Sequence, residues 1–126
     1  MKHRRAVITG LGIISPNAIG RRAFWDALKE GRSGVRHISL FDVSGFPTRI
    51  AGQVTGFNPG DYIESRKARR MARFSQFAVA SALMAMKDAS LDRKLMGNKN
   101  VSVILGVSTS AMDLIENQHK IFLEKG

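Results

Sequence analysis

No cysteine occurs among the 126 residues, which removes disulfides, thiolate metal sites and any cysteine nucleophile from this chain and is compatible with a reducing compartment. A bilayer-length apolar run is missing too: the uncharged stretch from Phe74 to Met86 is too short to cross a membrane. The opening "MKHRRAVITG" lacks the apolar core and cleavage site of a signal peptide. A soluble cytoplasmic protein with no membrane partner is therefore expected. Acidic residues are outnumbered 10 to 20 by Lys and Arg, leaving a net charge of +10, which favours an anionic partner of some kind. Aromatics are absent from the densest basic cluster, "RKARRMAR" at 66–73, whereas single-stranded nucleic acid stacks its bases on interleaved aromatics. A nucleic-acid module rests on charge alone, and no nucleic-acid partner is expected.

Other familiar chemistry is also incomplete. "GLGIIS" begins like a dinucleotide fingerprint, but Ser15 takes the third glycine's place, Pro16 follows, and no acidic residue closes a second strand at the required distance. "GVSTSA" lacks the Gly and Lys of a phosphate loop. His3, His37 and His119 are scattered, and Glu116 with His119 on one helix face would supply only two ligands, so no metal site is expected. No internal repeat or low-complexity segment is present.

What is there reads as one folded domain over 1–126, its 44% hydrophobic content being enough for a core. A β-branched run predicts a strand over about 5–12, ending in Gly10 and Gly12. "RRAFWDALKEG" predicts an amphipathic surface helix with Phe24, Trp25 and Leu28 on one side and Gly31 as its stop. Between Ser33 and Gly60 the pattern breaks into a Gly-, Ser- and Pro-rich excursion whose one convincing strand is "TRIAGQV". Asn58 and Pro59 fit a helix cap and first helical residue. A long helix is predicted over 67–89, with Ala78, Ala82, Ala85 and Ala89 as a stripe for close approach. A second strand at about 101–107 leads through "STSA" into a helix over 111–123, where Ser110 and Asp113 fit a capping pattern. The order predicts α/β layering, with a mostly parallel sheet covered by a buried helix.

The segments "VITGLGIISP", "FWDALKEGRSGV", "FDVSGFPTRIAGQV", "RRMARFSQFAVASALMAMKDASL" and "ILG" running into "IENQH" together resemble the β-ketoacyl-acyl carrier protein synthases, the elongating type II condensing enzymes. The resemblance covers essentially the whole chain in order and spacing. It implies a layered thiolase-like fold of two similar α/β halves, of which this chain is the N-terminal one, with the long apolar helix in the buried central layer. It also implies an acyl carrier protein as partner, a homodimer, and a C-terminal half carrying the family's cysteine and two histidines. No catalytic residue then lies in this chain, which is expected to be inert by itself, and no cofactor, because phosphopantetheine travels on the carrier.

By the same resemblance, Ser108, Thr109 and Ser110 occupy the wall of the acyl pocket, with Thr109 where the family often has an apolar gate residue. Hydroxyls there narrow and polarise the wall, as in some polyketide or polyene ketosynthases, which form the alternative to a fatty acid enzyme. Arg66, Arg69 and Arg70 match basic positions that meet the carrier, and their i, i+3, i+4 spacing would put them on one helix face. Two readings from other classes are a basic nucleic-acid-binding module and a non-catalytic scaffold subunit of the same fold.

Overall fold

Helix α3, Arg73–Asp88, is the longest described element in the computed structural model, which describes residues 5–92, 97 and 101–126. Its sequence contains neither Pro nor Gly and is dominated by good helix formers, and the chain leaves it at Ser90 in a left-handed conformation, φ 53°. The backbone of residues 10–12 lies directly on this helix. A Cβ at Gly10 would overlap the Ala85 carbonyl, and one at Gly12 the Ser81 carbonyl, so only glycine permits the approach. Asp88 closes the contact: its carboxylate accepts the Leu11 N–H at 3.0 Å and pairs with Arg21 at 3.0 Å.

Arg21 opens helix α1 (Arg21–Lys29), which follows a tight reversal marked by a bridge between Ile14 and Ile19. Gly31, at φ 65°, turns the chain away after α1 as its sequence predicts. Two strands then pair antiparallel, β1 (Val35–His37) with β2 (Ile50–Gly52), in the register Val35 to Gly52 and His37 to Ile50. Strand β2 lies inside "TRIAGQV"; β1 falls in the excursion that reads as irregular. Asn58 caps a single 3-10 turn, Pro59–Asp61, by accepting the Gly60 N–H at 3.1 Å. Helix α2 (Ser65–Ala68) precedes α3, and helix α4 (Met112–Lys125) ends the chain. Phe57 forms the centre of the small core, stacked on Tyr62 at 5.9 Å and edge-on to Phe77 at 4.9 Å.

Several expectations are corrected. Residues 5–12 and 101–107 form no strands, because a strand exists only when neighbouring backbone groups pair with it, and neither run has such a partner among the described residues. The described sheet is therefore an antiparallel pair, not a mostly parallel sheet. The expected helix over 67–89 is two helices separated by a turn at 69–72. Nor is α3 a buried central helix: only Ala80 is fully buried, and Phe74 and Val79 are more than a third exposed, since the described segments cover it only in part. Ser110 does not cap α4, which begins from Ala111 in a left-handed conformation without a side-chain cap. His3 and the lead-in at 98–100 lie outside the described residues. Among the described residues no helix is long and apolar enough to cross a membrane.

The apolar runs are left open. Ile8 is 82% and Ile104 91% exposed, and the total accessible surface is 10731 Å², against about 6,700 Å² for a compact monomer of this mass. That excess is larger than the area buried in many stable interfaces.

The Gly12 contact is testable. Gly12→Ala should lower stability by about 2 kcal/mol through overpacking against α3, whereas Gly45→Ala, with nothing within 4 Å of the added methyl, should change it by less than about 0.5 kcal/mol. Urea unfolding followed by circular dichroism compares them, and equal losses would show that α3 does not depend on this approach.

Candidate functional site

Two features meet at the N-terminal end of α3. The first is a cavity of about 440 Å³ between the first turns of α3 and the segment 105–110. Phe74, Ser75, Ala78 and Val79 form one wall, and Ser108, Thr109 and Ser110 lie together in the other with Leu105, Gly106 and Val107. The walls differ chemically: the helix side is mostly apolar, whereas the loop side carries three successive hydroxyls. None of those hydroxyls has a hydrogen-bond partner among the described residues. Among the described residues no carboxylate or imidazole lines the cavity, so none of them serves as a base to activate a serine or threonine there. The cavity can bind and shape a ligand; nucleophilic chemistry needs groups from elsewhere. The structure places Ser108, Thr109 and Ser110 together beside a cavity; its helix side, Phe74 to Val79, was not read from the sequence, although Ala78 was marked there as a place of close approach.

The second feature is the basic turn. Arg66 lies on α2, and Arg69 and Arg70 lie in the turn that follows, so the three do not share one helical face as their spacing predicts. Gln76 Nε2 donates to the carbonyls of Ala68 (2.9 Å) and Met71 (3.3 Å), tying the turn between α2 and α3 to the first turn of α3. The Arg70 and Met71 N–H groups bond only three residues back, to Lys67 and Ala68. Neighbouring cations are already engaged. Lys67 pairs with Glu64 at 3.3 Å, and Arg73 turns inward, donating to the Val54 carbonyl at 2.8 Å with its guanidinium 5.0 Å from the Phe77 ring centre. Arg66, Arg69 and Arg70 are exposed and have no acidic partner among the described residues. Three charges without an acidic partner among the described residues thus stand on α2 and the turn after it, immediately before the cavity wall that begins at Phe74. Gln76 and Arg73 read as ordinary helix residues in the sequence; only the broken helix reveals their work.

A larger groove of about 530 Å³ runs along α1, lined by Leu11, Ile13, Phe24, Trp25 and Leu28 with Arg21 and Arg22 at its edge. Ala27 is the fully buried residue of this helix, and Trp25 remains 60% exposed. The groove shares no lining residue with the cavity at 105–110 and belongs with the apolar surface left open by the fold.

Comparison with known proteins follows the whole chain. The family described as "Beta-ketoacyl synthase, N-terminal domain" matches residues 3–125. A 3-oxoacyl-[acyl-carrier-protein] synthase 2 of Vibrio cholerae is 36% identical over 126 residues, which is 100% of this chain and 30% of that protein. The granaticin polyketide β-ketoacyl synthase 1 of Streptomyces violaceoruber is 37% identical over 123 residues, 98% of this chain and 29% of that protein. Among solved structures, the ishigamide ketosynthase/chain length factor superposes with a TM-score of 0.83 at 33% identity, covering 94% of this chain and 30% of that one. The chain thus spans about 30% of the length of the relatives it matches.

If Gln76 holds the arginine turn, Gln76→Ala should speed amide hydrogen exchange at residues 69–72 by roughly tenfold, the loss of one or two hydrogen bonds. Exchange in the middle of α3, around Leu83, should stay unchanged. An unaltered turn would mean that Gln76 is not its anchor.

Proposed function

The chain belongs to the β-ketoacyl synthase family, as its N-terminal domain, and on that premise we propose that it is the first part of a 3-oxoacyl-[acyl-carrier-protein] synthase working in fatty acid biosynthesis. The reaction takes an acyl group onto a nucleophile, decarboxylates a malonyl group held on a carrier protein, and joins the resulting carbanion to the acyl carbonyl, releasing carbon dioxide. This chain has no cysteine to act as that nucleophile and no base beside its cavity hydroxyls, so the remainder of the enzyme supplies the reacting groups and this part alone is inert. Its own contributions are docking and shaping. The carrier brings its phosphopantetheine arm with it, and the domain needs no cofactor for either task. The open runs at 5–12 and 101–107 find their strand partners, and α3 its cover, in the rest of a cytoplasmic, homodimeric enzyme.

One observation carries this reading: three exposed, unpaired arginines stand directly before the helix that walls an acyl-sized, largely apolar cavity. An acidic carrier held at Arg66, Arg69 and Arg70 would bring its acyl group to the mouth of that cavity, and α3, which sets both, keeps their relation fixed. Identity alone does not separate fatty acid from polyketide synthesis, the relatives of the two kinds being 36% and 37% identical. A polyketide ketosynthase is the second reading, favoured by the hydroxyls of Ser108, Thr109 and Ser110.

Surface charges of this kind steer encounter and are screened by salt. In the full-length enzyme, Arg69→Glu with Arg70→Glu should raise KM for carrier-bound substrates about tenfold at low salt, the difference shrinking as salt is added, while turnover of a small thioester mimic changes little. Equal loss on both substrates would make the arginines structural. Loss of salt-dependent retention on random DNA, with carrier kinetics intact, would favour a nucleic-acid surface.

A further inference from the structure

The groove along α1 takes no part in the docking and cavity surfaces described above, and it carries a chemistry of its own. Residues 21, 24, 25 and 28 recur at i, i+3, i+4 and i+7, which puts Arg21, Phe24, Trp25 and Leu28 on one face of the helix. That face does not meet the core. Ala27, on another side, is the buried residue of α1, while Trp25 is 60% and Leu28 47% exposed. Leu11 and Ile13 complete the apolar lining of a groove of about 530 Å³, a volume within the range of small-molecule sites. Arg21 and Arg22 line the same groove from the first turn of α1, so its charge is gathered at one end.

The acids near these arginines do not cancel them. Asp88 pairs with Arg21 at 3.0 Å through one guanidinium nitrogen, which leaves further N–H donors on that fork. Asp26 is held by Lys29 at 2.8 Å, and Arg22 forms no ion pair among the described residues. A neutral hydrocarbon would cover the apolar lining and ignore the arginines; a small anion would meet the arginines and bury no carbon. A molecule with a carboxylate head and an unbranched tail uses both, its head accepting charge-assisted hydrogen bonds and its tail covering Trp25 and Leu28. A bilayer fits less well, because a helix of nine residues offers it only a short apolar face.

We infer that the α1 groove binds a free long-chain carboxylate, with Arg21 and Arg22 holding the head and Leu11, Ile13, Trp25 and Leu28 the tail. The site shares no lining residue with the cavity at 105–110, and its ligand follows from the groove alone, whatever reaction the whole enzyme performs.

Full-length protein with isotope-labelled tryptophan tests this through the indole N–H resonance of Trp25, the single tryptophan of residues 1–126, assigned by its loss in Trp25→Phe. Sodium dodecanoate, kept below its micelle concentration, should shift that resonance saturably and bind about tenfold more tightly than dodecanol or dodecyltrimethylammonium. Each methylene removed should weaken binding about two- to fourfold, so that decanoate binds roughly tenfold less well. Arg22→Gln should cost the carboxylate about fivefold and leave the alcohol unchanged; it spares the Arg21–Asp88 pair and with it the fold. Leu28→Ser should weaken carboxylate and alcohol alike. Equal affinity for the three head groups, or a carboxylate affinity untouched by Arg22→Gln, overturns the inference. So does a Trp25 resonance that none of these chains moves, which would mean that the rest of the enzyme covers the groove. A shift that appears only with phosphatidylglycerol vesicles overturns it too, and makes α1 a membrane-facing helix.

Discussion

The backbone approach of residues 10–12 to α3 is the contact on which the rest of this structure depends. Glycine at positions 10 and 12 lets the chain lie against the carbonyls of Ser81 and Ala85, and the Asp88 carboxylate then ties Leu11 and Arg21 to the end of the same helix. Through Arg21 the contact orients α1. From its other end α3 carries Phe77, whose edge-on packing against Phe57 holds the small core, and Gln76, which pins the turn before it. The helix is thus fixed near one end by a carboxylate and near the other by an aromatic cluster, and neither fixing point uses Arg66, Arg69, Arg70 or the cavity lining.

The division of labour along α3 follows from that arrangement. Arg73 is spent inside, on the Val54 carbonyl and the Phe77 ring, and Lys67 on Glu64, which leaves Arg66, Arg69 and Arg70 without an acidic partner among the described residues. A turn later the same helix is apolar and lines the cavity opposite the hydroxyls. The open surface elsewhere has a different meaning. Ile8, Val103 and Ile104 stand in runs with no described ladder partner, and β-branched residues in such numbers are costly to leave in water. Under the synthase reading proposed above, these runs would be strands completed by a sheet from the rest of the enzyme.

Much of this was legible in the sequence where a local rule sufficed. Gly31 as the stop of α1, Asn58 as a cap and "TRIAGQV" as a strand each depend on a few neighbouring residues, and each is found. The resemblance gave loop 108–110 the role of an acyl-pocket wall, and the structure sets that loop across a cavity from the start of α3. What eluded the sequence depends on distant partners. Positions 69–72 read as helix because nothing local forbids it; the turn found there is held to α3 by the side-chain amide of Gln76, a partner outside the segment. Strand β1 has no strong β pattern of its own and exists because β2 pairs with it. Conversely, 5–12 and 101–107 have every local sign of strands and lack the neighbours that would make them so. The basic cluster looked uniform, and only geometry separates its engaged cations from its free ones.

The central claim is that this chain is one part of a β-ketoacyl synthase whose apolar runs are completed by the rest of the enzyme, with α3 supporting the docking and cavity surfaces. Amide hydrogen exchange at residues 101–107, measured in the 126-residue chain and in the full-length protein, tests it most directly. The account predicts exchange near the unprotected rate in the chain alone and protection at least a hundredfold greater in the full-length protein, as for strands within a sheet. Equal protection in both, or none in either, would contradict it.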